Sequence, residues 1–204
     1  MKLAVACAAA LLAVAAAGPV QAQESVFTAT LTGANEIPAV ASPGTGAATV
    51  TLTLGALPTL RVQASFSDLL GSTTASHIHC CTTTPNTANA GVATTTPTFV
   101  FFPLGVTSGS YDRTFDLLAA GSYNPVFVTA NGGTVAGAFA ALSGGLASGQ
   151  TYFNIHTSLF PGGEIRGTLV AAVPEPETYA LFTAGLIALG AATRRRRARA
   201  ALAA

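Results

Sequence analysis

The chain has 204 residues, of which 50% are hydrophobic and only 8% charged, with a formal net charge of +1. A soluble domain carries about 25% charged residues, so a charge-rich disordered chain is excluded. A basic face reading nucleic-acid phosphate is excluded too, because the central region has three arginines and no lysine. The length suits one domain with a sizeable core.

Residues 1–22 have the order of a secretory signal peptide. Lys2 supplies the positive charge, an apolar run extends from Leu3 to Ala17, and Gly18-Pro19 breaks it. Val20-Gln21-Ala22 then places small residues at the −3 and −1 positions before Gln23. Cleavage after Ala22 removes Cys7 and leaves Cys80 and Cys81 as the remaining cysteines.

From Gln23 onward the character changes. Glu24, Glu36, Asp68, Asp112, Asp116 and Glu164 stand against Arg61, Arg113 and Arg166, so 23–173 is mildly acidic and the basic residues sit in the tail. Alternation with β-branched residues dominates. It predicts strands at 26–31, 48–54, 60–66, 75–79, 98–102, 125–129, 152–156 and 165–170. In 48–54, Val50, Leu52 and Leu54 face inward. Residues 82–97, rich in Thr, Pro, Asn and Ala, read as a long loop, and long loops inside compact domains are more often functional than decorative. Asp112 and Asp116 fall in a turn-and-strand region as solvated acids. Residues 135–142 break the pattern: Asn131-Gly132-Gly133 precedes them, Thr134 suits an N-cap, and Ser143-Gly144-Gly145 suits a stop. They predict a short helix near 134–143. Short strands between Gly/Pro turns give an all-β fold, an antiparallel β-sandwich or barrel.

All three histidines of the chain lie on these strands. In His77-Ile78-His79 both imidazoles leave one face and Ile78 the other. Asn154-Ile155-His156 repeats the arrangement. If Ile78, Phe153 and Ile155 share the core, all three histidines share the opposite face. Two imidazoles one pleat apart plus a third on another strand can hold zinc or copper. The plainer reading is three polar residues on solvated faces, bonded to backbone. A metal site requires the ring nitrogens within about 4 Å of one point, with the two histidine strands adjacent or one strand apart.

Cys80-Cys81 in an oxidising compartment can close a vicinal disulfide, pair with other chains or ligate a soft metal. The favoured reading is the vicinal disulfide, a rigid corner ending the histidine strand. Pro161-Gly162 suits a type II turn, so 152–156 and 165–170 form a hairpin. An even register then sets Glu164 near His156 and Arg166 near Asn154. Glu164 is either part of a cross-strand charge pair or a carboxylate orienting an imidazole. There is no nucleophile signature, phosphate loop or acid/base carboxylate pair, which points away from an enzyme.

The C-terminus carries Val173-Pro174-Glu175-Pro176-Glu177, an uncharged apolar run over 179–192, and then Arg194-Arg195-Arg196-Arg197. At ~1.5 Å per residue the run reaches roughly 21 Å, short of the ~30 Å hydrocarbon core. It therefore reads as a marginal transmembrane helix, with arginines reaching the headgroups. Clustered arginine stays cytoplasmic, which puts the preceding domain outside.

That order closely resembles the PEP-CTERM sorting signal, with Pro174, Glu175 and Pro176 as its motif. The resemblance implies a Gram-negative source, recognition by a membrane exosortase, and a transient anchor in the inner membrane. It further implies an exported product of the cell envelope or extracellular space, often linked to exopolysaccharide.

Residues 27–40, Phe27-Thr28-Ala29-Thr30-Leu31-Thr32-Gly33-Ala34-Asn35-Glu36-Ile37-Pro38-Ala39-Val40, look like the opening of the CHRD domain, named from chordin. His77-Ile78-His79 resembles its central motif. Tyr152-Phe153-Asn154-Ile155-His156-Thr157 through Pro161-Gly162-Gly163-Glu164-Ile165-Arg166-Gly167 resembles its closing motif. The family usually has Gly-Pro after the central motif, where this chain has Cys80-Cys81. The resemblance implies a β-rich, non-catalytic binding or structural module.

The expected organisation is a signal peptide over 1–22, a CHRD-like domain over 23–173 and a sorting signal over 174–204. Extracellular polysaccharide or matrix is the expected partner, besides exosortase and the membrane. The rival expectation is a copper or zinc metalloprotein, either a carrier or a superoxide-dismutase-like redox enzyme. It would use His77, His79 and His156, with Glu164, Cys80 or Cys81 as a fourth ligand.

Overall fold

Every second side chain of β2 (Thr45–Leu54) turns inward, with Ala48, Val50 and Leu52 buried between half-exposed threonines. The same period of two organises β1 (Gln23–Thr32) and β3 (Thr59–Ser67), where Phe27, Leu31, Leu60, Val62 and Phe66 are buried. Each such apolar side chain contributes ~1.5–3 kcal/mol by leaving water. The computed structural model describes residues 23–85, 87–172 and 176–201. The signal peptide expected over 1–22, and Pro174 and Glu175 of the sorting motif, lie outside the described residues.

The remaining elements are β4 (Thr73–Cys80), β5 (Gly109–Asp116), α1 (Pro125–Ala130), α2 (Val135–Ala147), β6 (Thr151–Thr157), β7 (Ile165–Thr168), β8 (Val170–Ala171) and α3 (Pro176–Ala201). The strands form one antiparallel sheet in the order β4-β6-β7-β1-β2-β3-β5, with β8 beside β1. The sheet curls into a half-barrel, within the all-β class expected. Phe99 joins its two ends, lying 6.0 Å from Phe153 of β6 and 5.3 Å from Phe115 of β5, centroid to centroid.

Two local expectations are corrected and a third is made sharper. Residues 125–129 are helical, not extended, because the Asn124 side chain accepts from the Val126 N–H and Pro125 fills the first turn. Residues 98–102 form a turn closed by Phe102 N–H donating to Phe99 O at 3.1 Å. Pro97 and Pro103 bracket the segment and remove two ladder donors, while Phe99 and Phe102 still reach the core. Residues 109–116, read only as a turn-and-strand region, are the edge strand β5. Its Asp112 pairs with Arg61 of β3 at 2.6 and 2.9 Å.

α2 starts where expected, with Thr134 Oγ1 accepting from the Gly137 N–H. It continues through Ser143-Gly144-Gly145 instead of stopping there. Ala138, Leu142 and Leu146 recur one turn apart and are buried. α3 contains the apolar run and Arg194. Among the described residues no helix is long and apolar enough to cross a membrane.

Candidate functional site

β4 and β6 are direct neighbours, with Ala75 opposite His156, His77 opposite Asn154 and His79 opposite Tyr152. Ile78, Phe153 and Ile155 point into the core and are fully buried. The opposite face of the same strands therefore carries His77, His79, Tyr152, Asn154 and His156. The loop 82–97 and the turn at 158–164 supply backbone contacts on that face.

The three imidazoles converge. Ring centroids lie 5.3 Å (His77–His156), 5.7 Å (His79–His156) and 5.9 Å (His77–His79) apart. One nitrogen from each ring lies within 4.8 Å of the other two. His77 Nε2 meets Pro97 O at 2.7 Å, His79 Nδ1 meets Ala90 O at 2.9 Å, and His156 Nδ1 meets Pro161 O at 2.9 Å. The other nitrogens, His77 Nδ1, His79 Nε2 and His156 Nε2, are buried without a hydrogen-bond partner. Burial holds His77 and His79 down to about 4 and lowers His156 as well, so the rings are neutral near pH 7.

A second polar cluster adjoins this one. Arg166 stands opposite Asn154, in the expected register. Its Nε donates to Asn35 O at 2.6 Å and its Nη1 to Asn89 Oδ1 at 2.6 Å, while Glu36 Oε2 lies 3.8 Å from Nε. The guanidinium lies 4.5 Å from the centre of the Tyr152 ring. Burial pushes the Glu36 carboxyl up to about 7, and the Arg166 charge opposes that rise only in part. A Cβ at Gly163, whose φ is +128°, would stand 2.6 Å from Glu36 Oε1 and from both amide atoms of Asn154. Glycine is required there for both conformation and space.

Glu164 does not orient an imidazole through its carboxylate. It accepts from Ser42 Oγ and Thr157 Oγ1 at 2.7 Å, Leu70 N–H at 2.6 Å and Gly71 N–H at 3.0 Å. Burial pushes its pKa up, but these four donors outweigh burial and hold it below the usual carboxylate value. His156 Nδ1 meets Pro161 O instead. Cys80 and Cys81 are joined in a disulfide.

Sequence reasoning missed Glu36, Asn89 and Tyr152 as members of the site. Glu36 offered a faint signal, an acid in an acid-poor domain. The site can offer three nitrogen lone pairs to one buried point. No serine or cysteine nucleophile accompanies the imidazoles among their hydrogen-bond partners.

A family model of the CHRD domain matches residues 27–169. The chain belongs to the CHRD family. The stretches at 27–40 and 152–167 thus come together in the CHRD fold, Asn35 Nδ2 donating to Arg166 O at 3.1 Å. A second model, the PEP-CTERM protein-sorting motif, matches residues 172–197. No curated protein and no solved structure gives a significant match to this CHRD chain.

Proposed function

We propose that the protein is exported, processed by exosortase at the inner membrane, and held in the cell envelope or outside the cell as a non-catalytic binding module. The observation that carries this reading is how closely the two matched segments abut. The CHRD match ends at residue 169, the last rung of the sheet pairs Ala171 with Phe27, and the sorting match opens at residue 172. Processing within the sorting segment then leaves the folded domain whole. The apolar run over 179–192 anchors the chain transiently, and the arginines behind it keep the domain outside.

Three acids of the domain are engaged by protein partners, which supports a non-catalytic role. Glu164 is saturated by four donors, Glu36 faces Arg166 and Asp112 is tied to Arg61. A matrix polysaccharide suits the outward face of β2, β3 and β5. Thr49, Gln63, Ser65, Ser110 and Asp112 surround a shallow hollow of about 400 Å³ there, offering hydroxyl, amide and carboxylate partners for sugar hydroxyls.

Expression in a Gram-negative host with and without its exosortase tests the reading, with an antibody against the domain. The expected result is a shortened product outside the inner membrane in the first host and a longer, membrane-associated one in the second. The same size and a cytoplasmic location in both would overturn it.

A further inference from the structure

We propose that His77 Nδ1, His79 Nε2 and His156 Nε2 together bind one transition-metal ion, copper or zinc. A backbone carbonyl only accepts, so each ring nitrogen facing Pro97 O, Ala90 O or Pro161 O carries the N–H. A neutral imidazole has one N–H, so the other nitrogen of each ring is a bare lone pair. These are the three nitrogens left buried and unpartnered.

Three buried acceptors in one cluster with no donor are costly, at ~1–3 kcal/mol for each unsatisfied group. A Lewis acid shared by all three removes the conflict. One nitrogen of each ring lies within 4.8 Å of the other two, and three atoms so spaced leave a point within about 2.8 Å of all of them. Metal–imidazole bonds are ~2.0–2.1 Å, so the rings close by less than about 1 Å, within reach of small side-chain rotations.

The donor set selects the class of metal. The converging group holds imidazole alone, with no carboxylate in it. Calcium and magnesium prefer oxygen, whereas copper and zinc favour imidazole, and copper(II) binds such sites tightest. The carbonyls behind the rings are what a metal centre needs outside its ligands, since an N–H···O=C bond fixes tautomer and ring orientation. Two of them, Ala90 O and Pro97 O, belong to the loop 82–97, which gives that loop its task.

The test uses the full-length protein, stripped with a chelator and titrated separately with Cu(II) and Zn(II). One ion per chain is expected, with an X-ray absorption signature of imidazole nitrogen around the metal. His77→Ala should lose more than the ~10–100-fold in affinity expected of an outer-sphere change. If that variant misfolds, His156→Gln at the less buried position takes its place, with circular dichroism as the control. No stoichiometric binding by the wild type, or equal binding by a folded histidine variant, overturns the proposal and makes the cluster a water site. The export assay above is independent, so failure of one reading leaves the other standing.

Discussion

Tyr152 stacks flat on His79, with ring centroids 4.7 Å apart and planes 8° from parallel. The Tyr152 hydroxyl both accepts from Ala90 N–H and donates to Ala90 O, the same carbonyl that holds His79 Nδ1. Tyr152 thus holds the ring and the loop above it together. Tyr152→Phe is expected to cost ~1–2 kcal/mol through the lost hydroxyl. Tyr152→Ala is expected to cost ~3–5 kcal/mol, because the stacked surface goes as well. Denaturant unfolding of the two variants checks the order.

Glu36 gives the stability a pH dependence of unusual sign. Its folded carboxyl is raised from 4.5 to about 7. Between those values the folded chain holds a proton that the unfolded chain releases, so this contribution is complete below pH 4.5 and is lost as pH rises to 7. Glu36→Gln should flatten that falling limb in unfolding measured from pH 4 to 8. An unchanged slope would mean that Glu36 is ionised throughout.

Glu164 runs the other way. Its folded carboxyl is lowered, so its contribution is present above pH 4.5 and is lost as pH falls below it. Glu164→Gln should lower stability at pH 7 by on the order of 2–3 kcal/mol, since two hydroxyls and two backbone N–H groups lose a charged acceptor. The same variant should lose less stability than wild type on going from pH 6 to pH 3. Thermal unfolding across that range reads both effects.

Neighbouring glycines in α2 should respond oppositely to alanine. A Cβ at Gly145 would meet Cys80 Sγ at 2.5 Å and Cys81 Sγ at 2.7 Å. Gly145→Ala should therefore cost ~1–3 kcal/mol through overpacking. At Gly144 a Cβ meets nothing within 4 Å, so Gly144→Ala should gain ~0.5–1 kcal/mol from helix propensity alone. Melting temperatures of the two variants should move apart from the wild type in opposite directions.

The strands around the histidines were legible because an apolar face alternates with a polar one in 75–79 and 152–156, although the fold buries both faces. β5 was less legible, because Arg113, on the same face as Tyr111 and Phe115, is polar and exposed and interrupts the alternation. In 125–129 the β-branched and aromatic side chains masked the stronger signal of Asn124-Pro125. The histidine face followed from local spacing. The joining of Asn35 and Glu36 to Arg166 did not, because it spans about 130 residues and depends on β7 lying beside β1. Nothing in the spacing of either segment encodes that neighbourhood. The orienting role expected of Glu164 was not legible because Ser42, Leu70 and Gly71 come from loops whose positions only the curled sheet defines.

β8 brings the two limits of the folded unit together. Ala171 lies across from Phe27, and Ala172 N–H donates to Val26 O at 2.8 Å. A domain whose entry and exit share one rung is a cassette that can be spliced into a loop of another protein without stretching its host. It also permits circular permutation, with residue 172 linked to residue 24 and new termini opened at Leu57, an exposed tip between β2 and β3. Such a rearranged chain would keep every rung that places His77, His79 and His156, and should assemble the same face from a different beginning.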